Sequence, residues 1–191
     1  PDYDWWDLTY DDIAERAKEL GIDLKQKPVQ LMSGKTRYDP EIYFSGFYHQ
    51  GSGSSFAGTW RAQDMNLDKL KAECPTETEL HSIGDTLAEL AKDDPGLYAI
   101  ISARDDNWIS VEVTDGEEIS EQLEELEHKS TGYDQLFQAC DKRAFAVIDT
   151  MRDFNHWIYK RLESEYEYLT SDEQVEESII ANEYEFTEEG R

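Results

Sequence analysis

Apolar residues recur along this chain with two periods. One returns every three or four positions, the other every second position. Trp6, Tyr10, Ile13, Ala17 and Leu20 follow the first and line one face of an opening helix. Thr9 with Asp12 reads as its capping pair, and Gly21 as its stop. Leu80, Ile83, Leu87 and Leu90 mark a second helix, which follows Pro75 and a capping box from Thr76 to Glu79. Ile119, Leu123 and Leu126 mark a third over residues 117–127. The longest stripe is Leu136, Cys140, Ala144, Val147, Met151, Phe154, Ile158 and Leu162, which predicts a helix over 134–168. At about 1.5 Å per residue it reaches roughly 50 Å, so a kink or break is expected. Residues 170–174 open a last helix, with Val175 and Ile179 facing inward and Asn182 at its end.

The second period marks strands. Residues 41–47 and 55–61 flank a glycine-rich loop. Residues 97–103 and 108–114 form a hairpin across 105–107, and Ile109, Val111 and Val113 alternate with Ser110, Glu112 and Thr114. A short strand near 28–32, a polar linker or helical turn over 64–72 and an edge strand over 183–186 complete the pattern. The expected fold is a single α+β domain over residues 1–191: a mostly antiparallel sheet of four or more strands packed against helices, with a long C-terminal helix. Residues 117–191 form its acidic helical part.

Composition sharpens this picture. Five Trp, eleven Tyr and seven Phe put the aromatic fraction at 12%, which suits a packed core rather than a disordered chain. Forty-four acidic residues face 18 basic ones, for a net charge of −26. Such a field repels nucleic acid and anionic membranes and draws in basic surfaces. A solubility or salt adaptation would produce the same excess. Cys74 and Cys140 form no CxxC pair or disulfide framework, and Cys140 falls on an apolar helix face as a packed thiol. A reducing cytoplasm is the expected compartment, since no apolar run approaches the roughly 18 residues of a membrane span.

The chemistry that the chain could carry is limited. His49, His81, His128 and His156 are scattered without metal-ligand spacing, and His81 and His156 sit on helices beside apolar residues as packed or half-buried groups. No metal or cofactor is expected. The glycine loop displays Tyr48, His49, Gln50, Ser52, Ser54 and Ser55. Its backbone could cradle a phosphate, but the Lys-Ser/Thr of a P-loop is missing and no helix follows. Ser54 or Ser55 with His49 would make a nucleophile and base, without a nucleophile elbow or a third residue. The loop therefore offers a ligand site made of Tyr48, His49, Gln50, Ser52 and Ser54, which would take an anionic ligand only where Arg37, Arg61 or Arg104 converges nearby.

The acidic runs offer more. No basic residue occurs between Glu117 and Glu127 or between Glu163 and Glu189. Carboxylates on helices can repeat at spacings comparable to nucleic-acid phosphates, and Tyr166, Tyr168, Tyr184 and Phe186 interleave with the second run as potential anchors. Glu121, Glu124, Glu125, Glu165, Glu167, Glu173 and Glu177 are the expected partner-binding residues.

Three blocks carry a resemblance: IYFSGFYHQGSGSSFAG over 42–58, WIYKRLESEYEYLTSDEQV over 157–175 and IANEYEFTEEGR over 180–191. Trp5-Trp6 and the stretch from Glu79 to His81 fit more loosely. Together they resemble a set of uncharacterised bacteriophage and prophage proteins, some labelled antitoxin of a toxin–antitoxin stability system. Those chains often carry Asp in the loop where this one has Ser52, and His near the second hairpin where residues 102–108 have none. The resemblance thus implies no catalytic residue. Taken with the acidic runs, it points to a non-enzymatic, phage-associated acidic inhibitor or antitoxin-like protein in the host cytoplasm. Its partner would be a basic host or phage protein, such as a nuclease or defence component, bound by nucleic-acid mimicry. A small-ligand or nucleotide-sequestering protein using loop residues 48–55 is the alternative. An accessory phage structural protein that associates with copies of itself is the third.

Overall fold

A computed structural model of the chain describes residues 4–105, 108–127 and 132–183. In chain order the elements are α1 (Asp7–Glu19), β1 (Ile22–Leu24), β2 (Gln26–Gln30), β3 (Thr36–Pro40), β4 (Ile42–Phe44), β5 (Ser54–Phe56), β6 (Gly58–Arg61), a 3₁₀ turn (Ala62–Asp64), α2 (Leu67–Glu73), α3 (Thr78–Ala91), β7 (Tyr98–Asp105), β8 (Trp108–Thr114), α4 (Glu117–Glu127), α5 (Tyr133–Leu169) and α6 (Asp172–Ala181). The fold is α+β, with a four-stranded antiparallel sheet in the order β1-β6-β7-β8 and two separate antiparallel pairs, β2-β3 and β4-β5.

The main sheet is buried on one face. Ile22, Leu24, Trp60, Ala99, Ile101 and Ile109 enter the core, and α1 and α5 pack against this assembly. The register lines up Asp23, Thr59, Ile100 and Glu112 across the opposite face, where Ile100 stays 44% exposed. Such one-sided burial produces the alternation visible in β8.

Helix α1 stops where the periodicity places its stop. Gly21 adopts a φ of +77°, and a Cβ there would meet the Arg61 carbonyl oxygen of β6 at 2.5 Å. The start differs from the sequence expectation. Trp6 occupies the cap position, and Thr9 lies buried inside the helix rather than capping it with Asp12. Asp7 carries the anion favoured in a first turn. Its carboxylate accepts the Asp4 amide at 2.9 Å and binds Arg37 of β3, which also grips Asp39. Helix α3 likewise begins without a side-chain cap: Glu77 holds the cap position, so the predicted capping box does not form.

Residues 23–40, which lack periodicity, contain most of β1 and the β2-β3 hairpin. The hairpin packs little of either strand into the core, so no hydrophobic alternation marks it. The strand expected over 55–61 divides at Ala57. The Ala57 amide bonds Glu41 beside β4, while its carbonyl accepts from Lys25 beside β1. The backbone thus changes partners between β5 and β6.

Helix α5 runs from Tyr133 to Leu169 as one helix, about 55 Å along its axis, without the expected break. Cys140, Val147, Met151, Phe154, Ile158 and Leu162 are buried along it, while Leu136 and Ala144 are half-buried. Helix α6 departs from expectation: none of its residues is buried, and Val175 is exposed rather than inward. Its N-cap is Ser171, whose hydroxyl accepts from the Gln174 amide, and Asn182 ends it. The turn at 106 and 107, most of the edge strand expected over 183–186, and His128 lie outside the described residues.

Tyr10 is buried beneath the β2-β3 hairpin, and its hydroxyl donates to the Ile42 carbonyl at 3.3 Å. Burial first, then Asp39 and Asp7, raise its phenol far above the ordinary 10.0. The folded chain therefore holds this proton at pH values where the unfolded chain loses it. Stability falls as pH rises past about 10, and below that value the contribution is intact. Thermal melts of wild type and Tyr10→Phe should show a shallower alkaline decline for the variant.

Candidate functional site

The seven glutamates singled out from the sequence fall into two clusters. Glu121, Glu124 and Glu125 are exposed on α4, whose Ile119, Leu123 and Leu126 turn away from solvent. Asp115, just before α4, binds Arg143 in the first third of α5 at 2.6 Å. Glu165 and Glu167 lie in the last turns of α5, and Glu173 and Glu177 on α6. From residue 143 to residue 165 the helix advances about 33 Å. One continuous acidic surface is therefore not formed; the carboxylates occupy opposite ends of a rod.

Among the described residues neither cluster is neutralised by an ion pair. Cations are spent on the body: Arg16 and Arg161 on Asp12, Lys25 on Glu41, Arg37 on Asp7 and Asp39, Lys69 on Glu19, Lys71 on Asp85, Arg143 on Asp94 and Asp115. Among the described residues no ion pair reaches any of the seven glutamates.

The cluster at the end of α5 merges with the glycine loop. Tyr159 and Tyr166 are seven residues apart on α5, two turns, and so share a face. The Phe47 ring lies 5.6 Å from Tyr159 and 5.2 Å from Tyr166, and the Tyr159 hydroxyl donates to the Phe47 carbonyl. Trp5 packs on Phe44 and Tyr166, each at 5.7 Å. Tyr48 reaches the outer side of Tyr166 at 6.3 Å and stays 66% exposed. Partial desolvation, then Glu167, raises its phenol above the ordinary value. Lower on the helix, Asn155 fastens the loop's far end: its amide donates to the Ser54 carbonyl, and the Ser54 hydroxyl donates to the Asn155 carbonyl at 2.9 Å.

These contacts divide the predicted ligand loop. Tyr48, His49 and Gln50 are exposed, whereas Ser54 is buried and committed to Asn155. The Ser52 hydroxyl accepts from the His49 amide at 3.2 Å, a turn contact. Ser55 is fully buried, so neither it nor Ser54 is presented to the exposed His49 as a nucleophile. The arginines that a bound anion requires do not gather here. Arg37 is held by two carboxylates, and Arg61 and Arg104 lie on β6 and β7 of the main sheet.

Elsewhere, His81 is half-buried against the Cys74 carbonyl, but His156 is exposed, against the packed placement expected for it. Cys74 and Cys140 are free and buried, with both thiols pushed up by burial. Among the described residues no group of three or more His, Cys, Asp or Glu side chains is placed to hold a metal ion. No described helix is long and apolar enough to cross a membrane.

Sequence reasoning named the acids and Tyr166 but not Trp5, Phe47 or Tyr159 as their neighbours. The two-turn spacing of Tyr159 and Tyr166 was the available signal. No curated protein and no solved structure matches the chain. A family model does, over residues 5–172, from the Trp5-Trp6 pair to the first residue of α6; the chain belongs to the family described as a domain of unknown function, DUF8835.

Proposed function

We propose that this protein is a non-enzymatic binding protein, a phage-associated inhibitor or antitoxin-like protein. Its target is a basic protein, a nuclease or defence component. It docks on the end of the molecule formed by the last turns of α5, α6 and Tyr48.

The observation that carries this reading is the mixture of exposed apolar groups with unneutralised acids. Tyr168 is 56% exposed, Val175 45% and Ile180 67%, on helices whose neighbouring Glu167, Glu173 and Glu177 have no ion-pair partner among the described residues. An interface uses both: carboxylates steer a basic partner and fix its register, and apolar groups supply the desolvated anchors. No residue of α6 is fully buried, and its Val175 and Ile180 face solvent, where a partner can cover them.

The test is affinity capture from host lysate at low and high salt. The baits are wild type and a variant carrying Glu165→Lys, Glu167→Lys, Glu173→Lys and Glu177→Lys. Wild type should retain a basic protein that elutes as salt rises, because exposed charges are screened within about 10 Å at 0.1 M salt. The variant should lose it while melting no lower than wild type. Identical captures by both baits would reject charge-directed docking.

A further inference from the structure

A second site lies where the start of α1, the β2-β3 hairpin and β4 meet. A cavity of about 340 Å³ opens there, lined by Trp6, Tyr10, Lys27, Asp39, Tyr43 and Phe44 among others. The volume is at the lower end for small-molecule pockets. Its walls are aromatic, and its one cationic lining residue is Lys27.

Lys27 holds an unusual position for a lysine in a chain with 44 acidic residues. Its flanking carboxylates are already engaged. Asp39, its cross-strand neighbour in the hairpin, is gripped by Arg37 through both oxygens, at 2.6 and 2.8 Å. Glu41 is bound by Lys25 at 2.8 Å. Among the described residues no ion pair reaches Lys27. Its ammonium donates to the Ile42 carbonyl at 2.9 Å and lies 4.3 Å over the Tyr43 ring. An ammonium has three donors, and one carbonyl satisfies one of them. Burial lowers its pKa, as expected for a charge drawn out of water without a fixed counter-ion. The described lysines and arginines that also lack an ion pair, Lys18, Lys35, Arg104 and Lys142, are exposed; Lys27 is half-buried.

We propose that this cavity binds a small aromatic carboxylate: the carboxylate takes the free donors of Lys27, and the ring lies among Trp6, Tyr43 and Phe44. A flat apolar body suits the aromatic walls, and a single negative charge completes the lysine. Asp4, exposed at the rim, and the net negative field oppose a second charge, so monoanions are selected over dianions. This site is separate from the acidic end and does not depend on the docking proposed there.

Calorimetric titration of the full chain with indole-3-carboxylate tests the assignment, with indole-3-carboxamide and tryptamine as neutral and cationic counterparts. The carboxylate should bind saturably, and the carboxamide about tenfold or more weaker, the loss of a charge-assisted contact. Lys27→Met keeps the apolar stem and should weaken the carboxylate by the same factor while leaving the carboxamide unchanged. Lys27→Arg should recover part of the loss. A thermal melt of Lys27→Met at the wild-type temperature confirms that folding is intact. No saturable binding up to millimolar carboxylate, equal affinity for the carboxamide, or tighter binding of tryptamine would each overturn the assignment.

Discussion

Phe154→Ala lowers the stability of the folded chain by about 3–5 kcal/mol, the range for emptying a buried phenylalanine. Phe154 is completely buried at the middle of α5. Its ring meets Phe56 edge-on at 5.4 Å and stacks on Trp157 at 5.5 Å, so it joins the β4-β5 pair to the long helix. Alanine removes these contacts, and the rigid backbones on both sides cannot close the space. At about 2–4 °C per kcal/mol for a chain of this size, the midpoint drops by roughly 6–20 °C in a calorimetric melt. Phe154→Leu, which fills most of the volume, should recover more than half of the loss. A fall of under about 1 kcal/mol for the alanine variant would place the core elsewhere.

Asp94→Ala is the second large effect, about 3 kcal/mol, near the lower bound for breaking a buried ion pair from one side. Asp94 is 2% exposed. It accepts the Gly96 amide at 3.2 Å and the Gly116 amide at 2.9 Å, and lies 3.4 Å from Arg143. One carboxylate thus ties the turn before β7, the turn before α4 and the side of α5. The two turns touch so closely that a Cβ on Gly116 would lie 2.8 Å from the Gly96 Cα. Alanine strands two backbone donors and half of the Arg143 charge, and Asp115 limits the damage by keeping its own bond to that arginine. Chemical denaturation should show the loss. Hydrogen exchange should place it first in α4, whose entry Gly116 anchors. Unchanged exchange in α4 would separate the helix from this anchor.

Helices and the β7-β8 hairpin were legible because burial there is one-sided. Phe154, Ile158 and Leu162 repeat at the helical period because one stripe of α5 faces the core, and Ile109 alternates with exposed neighbours for the same reason in β8. The β2-β3 hairpin was not legible in full, since it is held by backbone pairing and the Arg37 carboxylate clamp rather than by a buried face. Nor could periodicity show that the backbone switches partners at Ala57, a matter of long-range hydrogen bonding. On α6 the same logic half misled: Val175 and Ile179 keep a helical spacing, but only Ile179 is half-buried, while Val175 is exposed. At the candidate site, composition revealed the unneutralised acids. It could not reveal that α5 carries the two acidic runs apart, because that separation depends on the helix continuing without a break past its middle.

That separation gives the account its sharpest test. Three baits are compared in the same lysate capture: wild type; the α4 variant with Glu121→Lys, Glu124→Lys and Glu125→Lys; and the α5-α6 variant with Glu165→Lys, Glu167→Lys, Glu173→Lys and Glu177→Lys. Each reversal changes the net charge by a comparable amount, but the second removes the acids on the helices that carry the exposed Tyr168, Val175 and Ile180. The account predicts that the α4 variant keeps the basic, salt-sensitive partner and the α5-α6 variant loses it. Loss with the α4 variant alone, or equal loss with both, would contradict docking at the α5-α6 end.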